Sequence, residues 1–134
     1  KLLKHLFKFC VNNHSCVNAA IQHGAIAALD GPDESIDNMV EKFIFRKNLM
    51  FNGLKKINGI KCTEPKAGFF MFPNVKETGM NGDEFAEKCL NEAGVALIQG
   101  TAFGNSAIYN VRMNFTVSEE NISNALEKIK KILN

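Results

Sequence analysis

The sequence predicts an α+β fold, in which a small, mainly antiparallel sheet is covered by helices on one side. After residue 30 the predicted elements follow the order helix, two strands, helix, two strands, helix. Short loops at residues 65–68 and 100–107 join the strands of each pair, and such loops connect antiparallel neighbours. Apolar residues follow the 3.6-residue period in the helices, whereas the last strand alternates with a period of two.

The bulk composition is that of one ordinary globular domain. A chain of 134 residues is long enough to bury a substantial core. Its 16 basic and 14 acidic residues leave a net charge of +2, which gives no electrostatic case for binding nucleic acid or an anionic membrane. The sequence shows neither a secretory signal nor an apolar run of the roughly 20 residues that span a membrane. We therefore expect a cytoplasmic protein.

The cysteines and histidines predict neither a disulfide framework nor a metal site. No two of the four cysteines form a CxxC pair. Five candidate ligands precede residue 24, but they match neither one helix face nor a known ligand spacing. These five are His5, Cys10, His14, Cys16 and His23. We expect no bound metal.

Residues 1–30 predict two helices separated by a polar break. Leu2, Leu3 and Phe7 share one apolar helix face, and the polar cluster at residues 11–15 is typical of a turn. Either Asn13 or Ser15 is expected to cap the second helix, whose small-residue stripe predicts close packing against another helix. Because the chain starts at a lysine inside an amphipathic pattern, we expect a fragment of a longer protein.

The middle of the chain predicts a long helix, two short strands and a capped helix. Apolar residues keep the helical period over residues 35–56. Strands are predicted at residues 60–63 and 69–72, the second of them buried. Asn81, with Glu84 three residues later, predicts a capping box. In that helix we expect Leu90 to be buried and Glu84 to pair with Lys88.

The last third predicts two strands around a glycine-bounded loop, followed by a helix capped by Ser118. The apolar run at residues 95–98 fits a strand covered on both faces. Gly100 and Gly104 bracket a loop, and we expect the backbone of this loop to lie close to another group. Beyond it the residues alternate between two faces. Tyr109, Val111, Met113 and Phe115 share one face; Asn110, Arg112 and Asn114 share the other.

Arg112 is the candidate binding residue. The alternation places its side chain on a rigid strand, between two amides and beside a glycine loop. A guanidinium held in this way suits bidentate binding of a carboxylate or a phosphate. The same spacing also fits an arginine in a structural ion pair or on a solvated sheet face, and the residues alone leave these alternatives open.

Three ordered motifs resemble the C-terminal end of class I/II aminotransferases. They are Gly-x-x-Phe-Gly at residues 100–104, Val-Arg-Met-Asn-Phe at 111–115 and Ser-Glu-Glu-Asn at 118–121. The family comprises pyridoxal-phosphate (PLP) enzymes of fold type I, here of the aspartate aminotransferase type. The resemblance implies that residues 31–134 form the small domain and that residues 1–30 belong to the large PLP-binding domain. It also implies that Arg112 binds the α-carboxylate of the amino-acid substrate.

The resemblance implies roles for four further residues. Residues 69–73 are similar to a family segment at which Gly68 or Phe69 would line the substrate pocket. The polar segment before Cys16-Val17 is similar to a loop that approaches the neighbouring subunit of a homodimer, which implies that role for Asn12 and Asn13. The alternative for Gly68 and Phe69 is plain core packing, and the alternative for Asn12 and Asn13 is helix capping. The sequence departs from the family pattern at Gln99, where proline is usual.

The catalytic lysine of the family lies in a Ser-x-Ser-Lys context, upstream of a Gly-x-Arg-x-Gly segment. This chain contains neither a Ser-Lys dipeptide nor that segment. We therefore expect no catalytic residue here, and expect PLP to be bound by the intact enzyme but not by this chain alone. The implied reaction moves an amino group between an amino acid and a 2-oxo acid.

Three other functions stay open at this point. The parent protein could be another fold type I PLP enzyme, such as a β-lyase or an aminocyclopropane-carboxylate synthase. The chain could also be a module that binds amino acids without catalysis. A fragment with uncovered apolar faces at residues 1–29 could instead associate with itself.

Overall fold

The computed structural model describes all 134 residues and confirms the α+β class. It contains five α-helices and one three-stranded antiparallel sheet. The chain divides into two compact units, Lys1–Ile36 and Asp37–Asn134. The predicted domain division between residues 30 and 31 stays a prediction. None of the helices has the length and apolar character needed to cross a membrane.

The first unit contains helices α1 (Leu2–His14) and α2 (Ala19–Asp30). The two predicted helices with a break between them are confirmed, but the break lies at residues 15–18 rather than 11–15, because α1 continues through Asn12 and Asn13. The helix ends at Ser15, whose φ of 57° is in the left-handed region.

The cap of α2 also differs from the expectation. The side chain of Asn18, rather than that of Asn13 or Ser15, accepts a hydrogen bond of 2.8 Å from the Ala20 N–H. Neither α1 nor α2 contains a buried residue. The close helix packing expected from the small residues of α2 is therefore not seen in this chain.

Three helices organise the second unit: α3 (Glu34–Leu54), which begins in the first unit, α4 (Gly82–Ala93) and α5 (Glu119–Leu133). The predicted capping box at the start of α4 is confirmed: Asn81 accepts from the Glu84 N–H, and the Glu84 carboxylate accepts from the Asn81 N–H at 2.8 Å. The predicted cap of α5 is confirmed as well, because Ser118 accepts from the N–H of Asn121.

Two expectations for α4 are wrong. Glu84 does not pair with Lys88, because its carboxylate is engaged in the capping box. Lys88 pairs instead with Glu92, one turn further on, at 3.5 Å. Leu90 is 55% exposed rather than buried, since it lies outside the set of α4 residues that face the core.

The sheet consists of β1 (Phe70–Met71), β2 (Ile98–Gln99) and β3 (Val111–Asn114), in the order β1-β3-β2. Both pairs are antiparallel, with Met71 opposite Met113 and Ile98 opposite Arg112. The predicted strand at residues 60–63 is reduced to a single bridge at Lys61.

The hydrophobic core lies on one face of this sheet. Met71, Val111 and Met113 point into it, and the helices supply the rest. The helical core residues include Met50 and Leu54 of α3, Phe85 and Cys89 of α4, and Ile122 and Ile129 of α5. The predicted alternation of β3 is confirmed, although Tyr109, which precedes the strand, is 37% exposed.

The opposite face of the sheet is open. Ile98 is 39% exposed, and Phe70 and Phe72 are also exposed. Strands therefore form within residues 69–72 and at the end of residues 95–98, but the expectation that they are buried on both faces is wrong. Apolar residues at alternate positions here mark a face that the helices of the second unit do not cover.

Candidate functional site

Arg112 projects from the middle of the open face. It belongs to β3, which is the central strand and pairs with a neighbour on each side. Its side chain is partly buried, whereas Val111 and Met113 on either side of it in the chain are buried on the core face. The strand thus fixes the Cα of Arg112 and directs the side chain away from the core.

Two phenylalanine rings lie against the Arg112 guanidinium. The guanidinium carbon is 4.4 Å from the ring centroid of Phe70 and 4.7 Å from that of Phe103. Such contacts are favourable because the cation meets the negative face of a ring. Phe103 also packs edge-on against Phe72, with the centroids 5.9 Å apart. No local pattern in the sequence indicates that these rings are neighbours of Arg112.

Arg112 forms no salt bridge within this chain. The other arginine, Arg46, binds the carboxylate of Glu119 at 2.6 Å. The remaining salt bridges join lysines to glutamates. Of the alternatives that the sequence left open for Arg112, a structural ion pair within the chain is therefore excluded.

The two amides that flank Arg112 are used by the fold. Asn110 donates from Nδ2 to the Phe72 carbonyl at 3.1 Å, which ties the end of β1 to β3. The Oδ1 atom of Asn114 accepts from the N–H and the hydroxyl of Thr116. Arg112, by contrast, forms no side-chain hydrogen bond within the chain.

The glycine-bounded loop is held close to β3. It begins as a 3-10 turn, Gly100–Phe103, and the Gly100 N–H donates to the Asn110 carbonyl at 2.7 Å. A Cβ at Gly100 would lie 2.1 Å from the Ala107 carbonyl oxygen. The predicted close approach of backbone is therefore present at Gly100, and it explains why a side chain is absent there.

A second glycine makes a similar contact that the sequence analysis missed. A Cβ at Gly82 would lie 2.2 Å from the carbonyl oxygen of Asn110, and the Gly82 N–H donates to Ile108. The only sequence signal was the Asn81-Gly82 pair at the helix start, which the capping box already explained.

Gly68 and Phe69 lie next to, not within, the contacts of Arg112. Gly68 has φ of 73°, a conformation that favours glycine. The Phe69 ring is 4.5 Å from that of Phe70 and 6.5 Å from that of Phe43 on α3. It borders an apolar groove of about 670 Å³ between α3 and residues 65–69. Phe70 is thus the aromatic residue of this segment that contacts Arg112, and the predicted roles of Gly68 and Phe69 stay predictions.

Asn12 and Asn13 belong to the first unit and lie on the last turn of α1. The Asn12 amide donates to the Lys8 carbonyl of its own helix at 2.7 Å. Both residues are exposed. Their predicted contact with a neighbouring subunit is not tested by this single chain.

The lysines and two of the cysteines lie in settings that do not favour a nucleophile. A lysine that forms a Schiff base needs a desolvated setting, and none of the lysines is buried. Burial raises the pKa of the Cys89 thiol to about 11 and also raises the pKa of Cys62, which opposes thiolate formation. The expectation that this chain alone does not bind PLP stays a prediction, whereas Arg112 fits an anion.

This chain matches a known protein family along most of its length. The sequence pattern of the aminotransferase class I and II family matches residues 10–129. An aspartate aminotransferase of Bacillus subtilis is 33% identical over 98% of this chain, and a probable aspartate aminotransferase of Methanocaldococcus jannaschii is 35% identical, also over 98%. This chain covers 34% of each relative.

The fold gives the same assignment. The crystal structure of an aromatic aminotransferase from Pyrococcus horikoshii superposes with a TM-score of 0.88 and 30% identity. It covers 94% of this chain, which in turn covers 34% of that structure. The chain thus spans about a third of the length of the proteins it matches. The chain belongs to the class I and II aminotransferase family.

Proposed function

We propose that this chain is part of a PLP-dependent aminotransferase that moves an amino group between an amino acid and a 2-oxo acid, and that Arg112 binds the α-carboxylate of the amino acid. One observation carries the proposal: a partly buried guanidinium stands at the centre of the open sheet face without a carboxylate partner. A guanidinium in that position matches a carboxylate through two parallel N–H donors.

Arg112 would act through orientation. A carboxylate bound by two donors on a rigid strand loses its freedom to rotate, so the bond to the reacting Cα hydrogen points in a fixed direction. The rings of Phe70 and Phe103 would reduce the contact of both charges with water in the intact protein, which would strengthen the attraction between them. The amino-group chemistry itself belongs to PLP, which members of this family use and which the rest of the protein would hold.

The proposal extends to the intact protein. Residues 31–134 would form its small domain, with Gly68 and Phe69 at the edge of the substrate pocket. Residues 1–30 would belong to the large domain, with Asn12 and Asn13 facing the neighbouring subunit of a homodimer. The exposure of both asparagines supports this. Sedimentation of the full-length protein should give a dimer that Asn13→Arg weakens; an active monomer would contradict this part.

The test of Arg112 uses the full-length protein. Arg112→Ala should raise KM and lower turnover, with a loss of kcat/KM of about 10²-fold or more, because one partner of a desolvated charge pair is removed. Arg46→Ala is the matched control: it removes the other arginine, which already binds Glu119, and should leave KM unchanged. Full retention of KM and kcat in Arg112→Ala would remove the assignment.

The reaction type is tested by its products. With PLP, 2-oxoglutarate and either aspartate or phenylalanine, the full-length protein should form one glutamate for each amino acid consumed. The names of the relatives motivate these two donors. Release of ammonia without a 2-oxo acid acceptor would indicate a lyase instead.

A further inference from the structure

Phe103 is the residue that connects the Arg112 guanidinium to the rest of the open face. Its ring centroid is 4.7 Å from the guanidinium carbon and 5.9 Å from the centroid of Phe72, with the two rings nearly perpendicular. Phe72 is tied to β3 in turn, because its carbonyl accepts from the Asn110 amide. A continuous set of contacts thus returns from the guanidinium to its own strand.

The turn that carries Phe103 is anchored at several points. The Gly100 N–H donates to the Asn110 carbonyl at 2.7 Å, and the Gly104 N–H donates to Thr101 at 3.2 Å. The Thr101 hydroxyl donates to the Asp83 carboxylate on α4 at 2.8 Å. The backbone below Phe103 is therefore fixed to both β3 and α4, although the ring itself is half exposed.

The second ring approaches from the other side of β3. Phe70 belongs to β1, whereas Phe103 follows β2, and β3 lies between these two strands. The side chain of Arg112 rises between the two segments and meets one ring from each. Neither ring offers a hydrogen-bond acceptor, so both restrict the guanidinium while leaving its N–H donors available.

We propose that Phe103, assisted by Phe70, is a positioning residue that holds the Arg112 guanidinium ready for a carboxylate before the substrate arrives. This rests on the proposed function of Arg112. A long arginine side chain without an ionic partner samples many rotamers, and each one excluded in advance lowers the cost of binding. The rings supply that restriction without competing with the ligand.

The test compares two substitutions of Phe103 in the full-length protein. Phe103→Leu removes the ring but keeps apolar volume against Phe72, whereas Phe103→Tyr keeps the ring. The probe is propionate, a carboxylate without an amino group, used as a competitive inhibitor of the amino-acid substrate. Phe103→Leu should raise the propionate Ki and the substrate KM by about 3- to 10-fold. Phe103→Tyr should stay within about twofold of the unmodified protein.

The urea midpoint of each variant separates positioning from folding. A loss of midpoint and turnover with an unchanged propionate Ki in Phe103→Leu would overturn the proposal. So would equal effects of the leucine and tyrosine variants. In an Arg112→Lys background, Phe103→Leu should add no further change in Ki; an additive change would contradict action through Arg112.

The two proposals fail in different ways. Unchanged KM, kcat and propionate Ki in Arg112→Ala would remove the carboxylate-binding role, and the positioning role with it. A weakened Arg112→Ala together with an unaffected Phe103→Leu would remove only the positioning role.

Discussion

The two faces of β3 show how one strand separates stability from binding. Toward the helices, Val111 and Met113 are almost entirely buried among apolar residues of α3, α4 and α5. Toward the open side, Arg112 keeps its charge without an ionic partner. Adjacent residues of a strand point to opposite faces, so one substitution can alter one property with little effect on the other.

The largest expected effect lies on the core face. Phe115→Ala should lower the free energy of unfolding by about 3–5 kcal/mol, because a buried ring is replaced by a cavity. Phe72→Ala, on the open face, is the matched control and should cost about 1 kcal/mol, since much of that ring is already exposed. Urea unfolding of both variants measures the difference. Equal losses would contradict the separation of the two faces.

A smaller effect on stability is expected at Gly100, where the loop that carries Phe103 packs against backbone carbonyls. Gly100→Ala should destabilise the fold by about 1–3 kcal/mol, because the added carbon collides with the Ala107 and Asn110 carbonyls. Ala102→Ser changes an exposed residue of the same turn and should stay within about 0.5 kcal/mol. An equally stable Gly100→Ala variant in thermal unfolding would show that the loop can move away from β3.

The helix cap on the core side should matter less again. Asn81→Ala removes the capping box of α4 and should cost about 1 kcal/mol. Asn91→Ala, at an exposed position within α4, serves as the control and should have little effect. If both faces are independent, the cap variant of the full-length protein should keep the propionate Ki. A changed Ki would mean that α4 transmits strain to Arg112.

The smallest effect concerns the paired arginine. The hydrogen bond from Arg46 lowers the pKa of the Glu119 carboxyl below its ordinary value of 4.5. The unfolded chain therefore binds this proton more readily, so the pair stabilises the fold above pH 4.5 and the contribution is lost as the pH falls through the lower folded pKa. Glu119→Gln should show a shallower loss of stability below pH 4.5; an identical pH profile would contradict a role for this pair.

Local signals in the sequence were sufficient for the caps of α4 and α5, though not for that of α2, and for the alternation of β3. Asn81 and Ser118 act through residues two or three positions away, so their roles can be seen in a short stretch of sequence. The face of the sheet on which Arg112 lies is likewise set locally, by the alternation of residues along the strand. These features therefore appear in the structure as predicted.

Tertiary contacts determined what the sequence did not predict. The ring of Phe70 meets Arg112 only because β1 pairs with β3 in one register, and no local pattern sets that register. The apolar run at residues 95–98 looked like a strand buried on both faces, but Ile98 is its only residue that pairs with β3, followed by Gln99. The polar cluster around Asn12 resembled a turn, yet the left-handed residue that ends α1 is Ser15.

The carbonyl of Asn110 is enclosed by two glycines, Gly82 and Gly100, neither of which has room for a side chain. The loop that carries Phe103 is therefore closely packed at Gly100, whereas residues 102–106 of the loop are exposed. Ala102 is exposed in the same turn, so substitutions there should leave the packing of Gly100 against the Asn110 carbonyl intact.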